Sequence, residues 1–336
     1  DVFAMIFYLL SRYEEYGDTT KDSHGRFPSH ASLAHQHDFL KMPLVDLWIQ
    51  RLYSDIQDRL SNRRMTPKGR PHSYPSIDID MPLAFKYKGP RSYLGLFRDI
   101  VSGRMDTAQG RMKTWFGGTD PFDTYSQILE FAAERTITWR FFVLLNYQRP
   151  FDLNHLAHRP EMKRIVDQLS PKHHVGLHPS YLSHQSTDQL RKEHKGLCDL
   201  LQTQIVMSRQ HFIKISLPET YRSLVELGIQ EDHSMMYPDQ CGFRAGTCHP
   251  FRWYDLLADH VTDLVIHPYQ CMEVTMRYYE KMDVEQAIAE VTQLHQSCQE
   301  VGGTFGWIWH NSSLSRAYGW EPWRKVFDHL LVLSAA

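Results

Sequence analysis

Apolar residues in the first sixteen positions recur at a helical spacing. Phe3, Phe7 and Leu10 share one face, with Ile6 and Tyr13 beside it. That predicts a helix over 1–16, broken at Gly17. RYEEY at 12–16 is expected to be helix surface packed against a second domain. Residues 42–60 again show amphipathic spacing, with Pro43 in the first turn and Leu47, Leu52 and Ile56 among the apolar positions. Residues 61–72 are basic and carry Pro and Gly, which places a domain boundary there. From residue 75 the pattern changes. Short apolar runs at 76–82, 136–145, 175–178, 212–216, 264–267 and 304–309 alternate with helix-period stretches at 83–104, 124–134, 162–169, 187–202, 218–227 and 284–301. Such alternation predicts an α/β fold with a parallel sheet, open or closed into a barrel. In these folds the chemistry gathers at the carboxyl ends of the strands.

The run SIDIDMP at 76–82 is the chemical centre of that pattern. A period of two puts Asp78 and Asp80 on one face of a strand and Ile77 and Ile79 on the other. Neighbouring carboxylates repel unless a cation or a shared proton relieves them. The competing reading is a solvated turn after an edge strand. His178 and His310 also end apolar runs, whereas His211 precedes one. Each alone fits a structural histidine as well as a ligand. Together, one carboxylate and two imidazoles are a common set for a catalytic divalent metal, with a second carboxylate as base and a further histidine as acid. Asp80, His178, His211, Asp78 and His310 could fill those roles.

Composition narrows the function classes. The chain has 336 residues, 42% of them hydrophobic, enough for one large domain or two smaller ones. A formal net charge of -2 favours neither nucleic acid nor an anionic membrane as partner. No apolar run approaches the length of about 18 residues that spans a membrane. No basic region precedes the apolar positions 2–10, so a signal peptide is not expected and a cytoplasmic location is. Five Cys without a CxxC signal neither a disulfide framework nor a thiolate zinc site. Twenty His are the unusual figure.

Over residues 72–325 the order of motifs resembles the polysaccharide deacetylase superfamily (NodB homology, carbohydrate esterase family 4), in particular bacterial members with an extra N-terminal domain. The matching pieces are SIDID, TITWRFFVLL, VGLHPS, SRQHF, GIQEDHSMMYPDQCGFRAGT and IWHNSS. The resemblance implies a distorted (β/α)7-type barrel over 71–336, with a small, mainly helical module over 1–70. It implies Asp78 as the catalytic base, Asp80 and His178 as metal ligands, Arg244 as the group that orients the base, and His310 as the acid. The implied cofactor is a divalent metal, zinc foremost, with Co, Ni or Mn as alternatives. The sequence departs from the family where Ile79 separates the two Asp, where Leu182 stands at the usual second imidazole, and where Ala245 and Gly246 follow Arg244. His211 is the preferred second imidazole, with His184 and His267 as alternatives. Tyr181 and Trp309 are candidates to stack on a sugar, with core packing as the competing reading, and His267 to line the site. The expected activity is removal of an acyl group, N-acetyl foremost, from an amino sugar of a glycan. Hydrolysis of another C–N or ester bond on the same fold, or a non-catalytic glycan-binding protein, are the alternatives.

Overall fold

The computed structural model describes residues 1–17, 20–59, 72–135 and 137–335. They form two compact units, one of residues 75–205 and 309–335, the other of 1–74 and 206–308. The predicted boundary at 61–72 lies, but for His72, outside the described residues.

Strand β1 (His72–Ile79) enters the first unit at Pro75. β2 (Arg140–Val143) runs parallel to it, with Ile79 level with Val143. A short hairpin of β3 (Tyr147–Gln148) and β4 (Asp152–Leu153) follows. β5 (His174–Leu177) then runs parallel to β2, with Leu177 level with Val143. Ile77, Ile79, Phe141, Phe142, Val143 and Leu177 are all fully buried. Strands buried on both faces are what parallel pairing between helices requires. The intervening helices include Tyr125–Arg135, Pro160–Leu169 and Thr187–Leu201. The expected helix over 83–104 begins only at Arg91. Pro90 disfavours the helical region for Gly89 before it, and Asp120 holds the preceding loop by accepting from the amides of Ala84, Phe85 and Lys86.

In the second unit β6 (Met207–Ser208) and β7 (Glu231–Met235) are parallel. β8 (Phe251–Asp255) pairs antiparallel with β9 (His260–Pro268), which runs parallel to β7. β10 (Cys271–Met272) is parallel to β11 (Thr304–His310), whose last two residues belong to the first unit. The helices Val2–Leu10, Leu44–Arg59, Glu219–Glu226 and Val284–Glu300 complete it. The last starts at a capping box between Asp283 and Gln286. The expected strand over 212–216 is absent. Residues His211–Ile213 form a tight helical turn, and left-handed backbone at Phe212 and Ile213 cannot continue a strand.

RYEEY differs most from expectation. Arg12 and Glu15 are buried. Arg12 donates from Nε to Glu15 Oε1 at 2.8 Å and from Nη2 to the Tyr237 hydroxyl at 2.8 Å. Gly242, at φ +138°, lies where any Cβ would meet the Leu40 carbonyl oxygen at 2.5 Å, so the close approach needs glycine. Parallel strands alternating with helices give the α/β class that the sequence predicts. No helix among the described residues is long and apolar enough to cross a membrane.

Candidate metal and catalytic centre

The centre forms in the first unit, at the carboxyl ends of β1 and β5. The β1–β2–β5 ladder stops at Ile79, Val143 and Leu177. The His178 amide still bonds to the Val143 carbonyl at 3.0 Å. The residues just past the ladder, Asp80 and His178, therefore rise at the same end of the sheet. His178 Nε2 lies 3.1 Å from Asp80 Oδ1 and 3.8 Å from Asp78 Oδ2. His310, at the end of β11, brings Nε2 to 3.4 Å from Asp80 Oδ2. Asp80 thus stands between two imidazoles, with Asp78 behind it. Asp78 and His178 are buried, while the Asp80 side chain keeps 27% of its surface exposed. The centre is closed at its base and open at Asp80.

The loop that follows Asp80 is anchored. Asn311 Nδ2 donates to the carbonyls of Met81 (3.1 Å) and Phe122 (3.0 Å). The Tyr125 hydroxyl donates to the Pro82 carbonyl at 3.0 Å, and Thr124 Oγ1 to the Asn311 carbonyl at 3.0 Å. This ties the Asp80 turn to the residue next to His310. Asn311 lies inside the IWHNSS motif, but no periodicity marks it as a positioning residue.

Asp80 and His178 fit a metal by donor type and spacing. A tetrahedral ion with bonds of about 2.0–2.1 Å holds neighbouring ligands about 3.3–3.4 Å apart. A buried carboxylate oxygen and a buried imidazole nitrogen at 3.1 Å are close to that.

The remaining predicted residues fall in several places. His211 is buried in the second unit, its ring edge-on to Phe212 at 4.7 Å. His184 turns its Nδ1 to the Tyr181 carbonyl at 3.0 Å. His267 lies in the second unit beside Glu231 and His233. Arg244, expected to steer Asp78, closes its fork on Glu15 instead. Its Nε reaches Oε1 at 3.0 Å, its Nη2 reaches Oε2 at 2.6 Å, and its Nη1 donates to the Met236 carbonyl. Burial pushes the Glu15 carboxyl up, but the Arg244 and Arg12 guanidiniums beside it outweigh that and bring it down to about 2. The sugar-stacking expectation for two aromatics also needs correction. Trp309 is fully buried with its ring against Phe327, and Tyr181 is buried under Phe151, centroids 3.8 Å apart. Neither has a ring face open to a sugar, because both complete the core around the strand ends.

A cleft of about 1080 Å³ lies in the same unit, and Met81, next to Asp80, lines it. Its walls are cationic. Arg104 and Arg111 share Asp99, at 2.9 and 2.8 Å. Lys88, Arg98, Arg149 and Arg159 line it too and make no ion pair among the described residues. Burial, and then the nearby Arg111, push the Lys88 ammonium down to about 8.

Comparison with known proteins adds the following. Residues 1–61 match the model of a family of unknown function (DUF7033). No curated protein matches the chain. Among solved structures, the chain is similar to a Mycobacterium smegmatis protein assigned to the polysaccharide deacetylases, with 17% identity, 81% of this chain and 85% of that one covered, and a TM-score of 0.49. It is similar to the Bacillus cereus polysaccharide deacetylase at 12% identity, covering 78% and 87%, with a TM-score of 0.37. It is also similar to a 4-alpha-glucanotransferase of Thermococcus litoralis at 12% identity, covering 80% of this chain but 37% of that one, with a TM-score of 0.43.

Proposed function

We propose that the chain is a metal-dependent hydrolase that removes an acyl group, N-acetyl foremost, from an amino sugar of a carbohydrate. The observation that carries this reading is the Asp80 carboxylate between His178 and His310, with Asp78 behind it at the same strand end. Asp80 and His178 would hold the metal, with His211 as the further imidazole that the sequence favours. A zinc-type ion held there polarises an acyl carbonyl and lowers the pKa of its water. Asp78, level with Phe142 one pair before the end of the β1–β2 ladder, would serve as the general base. His310, 3.4 Å from the other Asp80 oxygen, would give a proton to the leaving amine. Asn311 holds the Asp80 turn and His310 in one arrangement. Arg244 has no part in this scheme, since its fork is engaged by Glu15.

The cationic cleft beside Met81 supports a more specific substrate. Four cations without a carboxylate partner among the described residues favour a carbohydrate that carries acidic groups, uronate or phosphate, over a neutral one. The reading is tested by a pair of substitutions. Asp80→Ala should lose bound metal, while Asp78→Asn should keep it and lose deacetylation by about 10²–10⁴-fold. Full metal content in Asp80→Ala, or full activity in Asp78→Asn, would reject the roles.

A further inference from the structure

Glu231, His233 and His267 all belong to the second unit and use none of the residues of the Asp80 centre. Glu231 and His233 are two apart on β7, so both side chains leave one face of that strand. His267 comes from β9, its parallel neighbour, and the register between the two strands shifts between Asp232 and Met235. Glu231 Oε2 lies 3.3 Å from His233 Nε2 and 3.3 Å from His267 Nε2. One donor atom from each residue fits within 4.8 Å of the other two. Ligands of a tetrahedral ion sit about 3.3–3.4 Å apart, so both separations suit one.

Three features set the cluster apart from an ordinary buried ion pair. His267 is 7% exposed, and neither of its ring nitrogens has a hydrogen bond of acceptable geometry among the described residues. Buried polar atoms left so are costly and point to a missing partner. The two imidazoles stack, with centroids 4.4 Å apart and planes at 10°. The stack presents both Nε2 atoms to the same Glu231 oxygen. Finally, His233 Nδ1 faces the Tyr269 hydroxyl at 3.2 Å. Such an outer bond fixes the ring and turns Nε2 towards the ion. The Glu231 side chain is 37% exposed, which gives water access to a remaining position.

We propose that Glu231, His233 and His267 form a second metal site, for a zinc-type divalent cation with a coordination position left to water. Two imidazoles and one carboxylate are a zinc donor set, with softer nitrogen ligands than Mg²⁺ or Ca²⁺ prefers. The site stands whether or not the Asp80 centre binds metal.

The test is equilibrium dialysis of the full chain against Zn²⁺ alone, followed by elemental analysis. The forms compared are wild type, His267→Ala, Asp80→Ala/His178→Ala and the combined triple variant. His267→Ala should bind one equivalent fewer than wild type. Asp80→Ala/His178→Ala should retain one equivalent, and the triple variant none. Unchanged stoichiometry and affinity in folded His267→Ala overturns the proposal, as does a folded Asp80→Ala/His178→Ala protein that binds no zinc. Circular dichroism establishes folding. If His267→Ala does not fold, Tyr269→Phe decides, because it removes only the outer hydroxyl. It should weaken one zinc site by about 10–100-fold, and an unchanged affinity overturns the proposal.

Discussion

Asp80 and Glu15 are both carboxylates held between two basic side chains, and they do opposite things. Asp80 stands between the imidazoles of His178 and His310, partly open to water. Glu15 stands between the guanidiniums of Arg12 and Arg244, out of water. Imidazoles have lone pairs that can turn to a metal or pass a proton at neutral pH. Guanidiniums have neither and stay charged. The same charge arrangement therefore suits chemistry in one region and architecture in the other. The Arg12–Glu15–Arg244 network ties the N-terminal segment to residues 236–244 within its unit, because Arg12 also reaches Tyr237 and Arg244 also reaches the Met236 carbonyl.

The comparison breaks most sharply in activity. Asp80→Ala should lower deacetylation by about 10³-fold or more, the scale of losing a metal's charge stabilisation, with little change in thermal stability. Glu15→Ala should do the reverse. It leaves the buried Arg244 guanidinium without its carboxylate, while Arg12 keeps Glu14 at 2.7 Å, and such a loss costs about 3–5 kcal/mol. Denaturant titration should register that loss in Glu15→Ala and not in Asp80→Ala. Comparable destabilisation by both would erase the distinction.

A smaller effect belongs to the cleft. Arg149→Ala and Arg159→Ala should each raise KM for an acidic glycan by several-fold and leave kcat close to wild type, the signature of lost uniform binding. The difference should shrink in high salt. Steady-state kinetics on matched neutral and acidic substrates would reveal it, and equal KM values on both would remove the acidic preference.

The smallest effect is in pH. Glu15 in the folded chain is depressed to about 2 from an ordinary 4.5. A depressed carboxyl stabilises the fold above its unfolded value and loses that contribution as pH falls. The Glu15 contribution should therefore be complete above pH 4.5 and fade towards pH 2. Glu15→Gln should flatten this part of a melting-temperature profile, and an unaltered acid limb would show that other groups set it.

Much of this was legible in the sequence where strand periodicity and chemistry coincide. Ile77 and Ile79 marked a buried strand, so the i, i+2 carboxylates on its other face had a defined direction. His178 ended an apolar run and does follow β5. What stayed hidden depends on contacts far apart in sequence. Arg12 and Glu15 looked like helix surface because nothing local reveals that Arg244, over two hundred residues later, shares their carboxylate. β7, with the sequence EDHSM, carries too few apolar residues to show a strand, so Glu231 and His233 were not seen as two donors on one face. Phe212 and Ile213 looked β-prone, yet a left-handed turn overrides that preference. For Trp309 and Tyr181 the sequence leaves both a sugar platform and core packing open, and their packing against Phe327 and Phe151 shows the core.

The most direct test of the central claim is an anomalous difference map from crystals of the full chain soaked in zinc. A peak should lie about 2.0–2.2 Å from an Asp80 carboxylate oxygen and about 2.0–2.1 Å from His178 Nε2, with His211 as the further imidazole. A zinc-loaded crystal with no peak beside Asp80 and His178 would contradict the account.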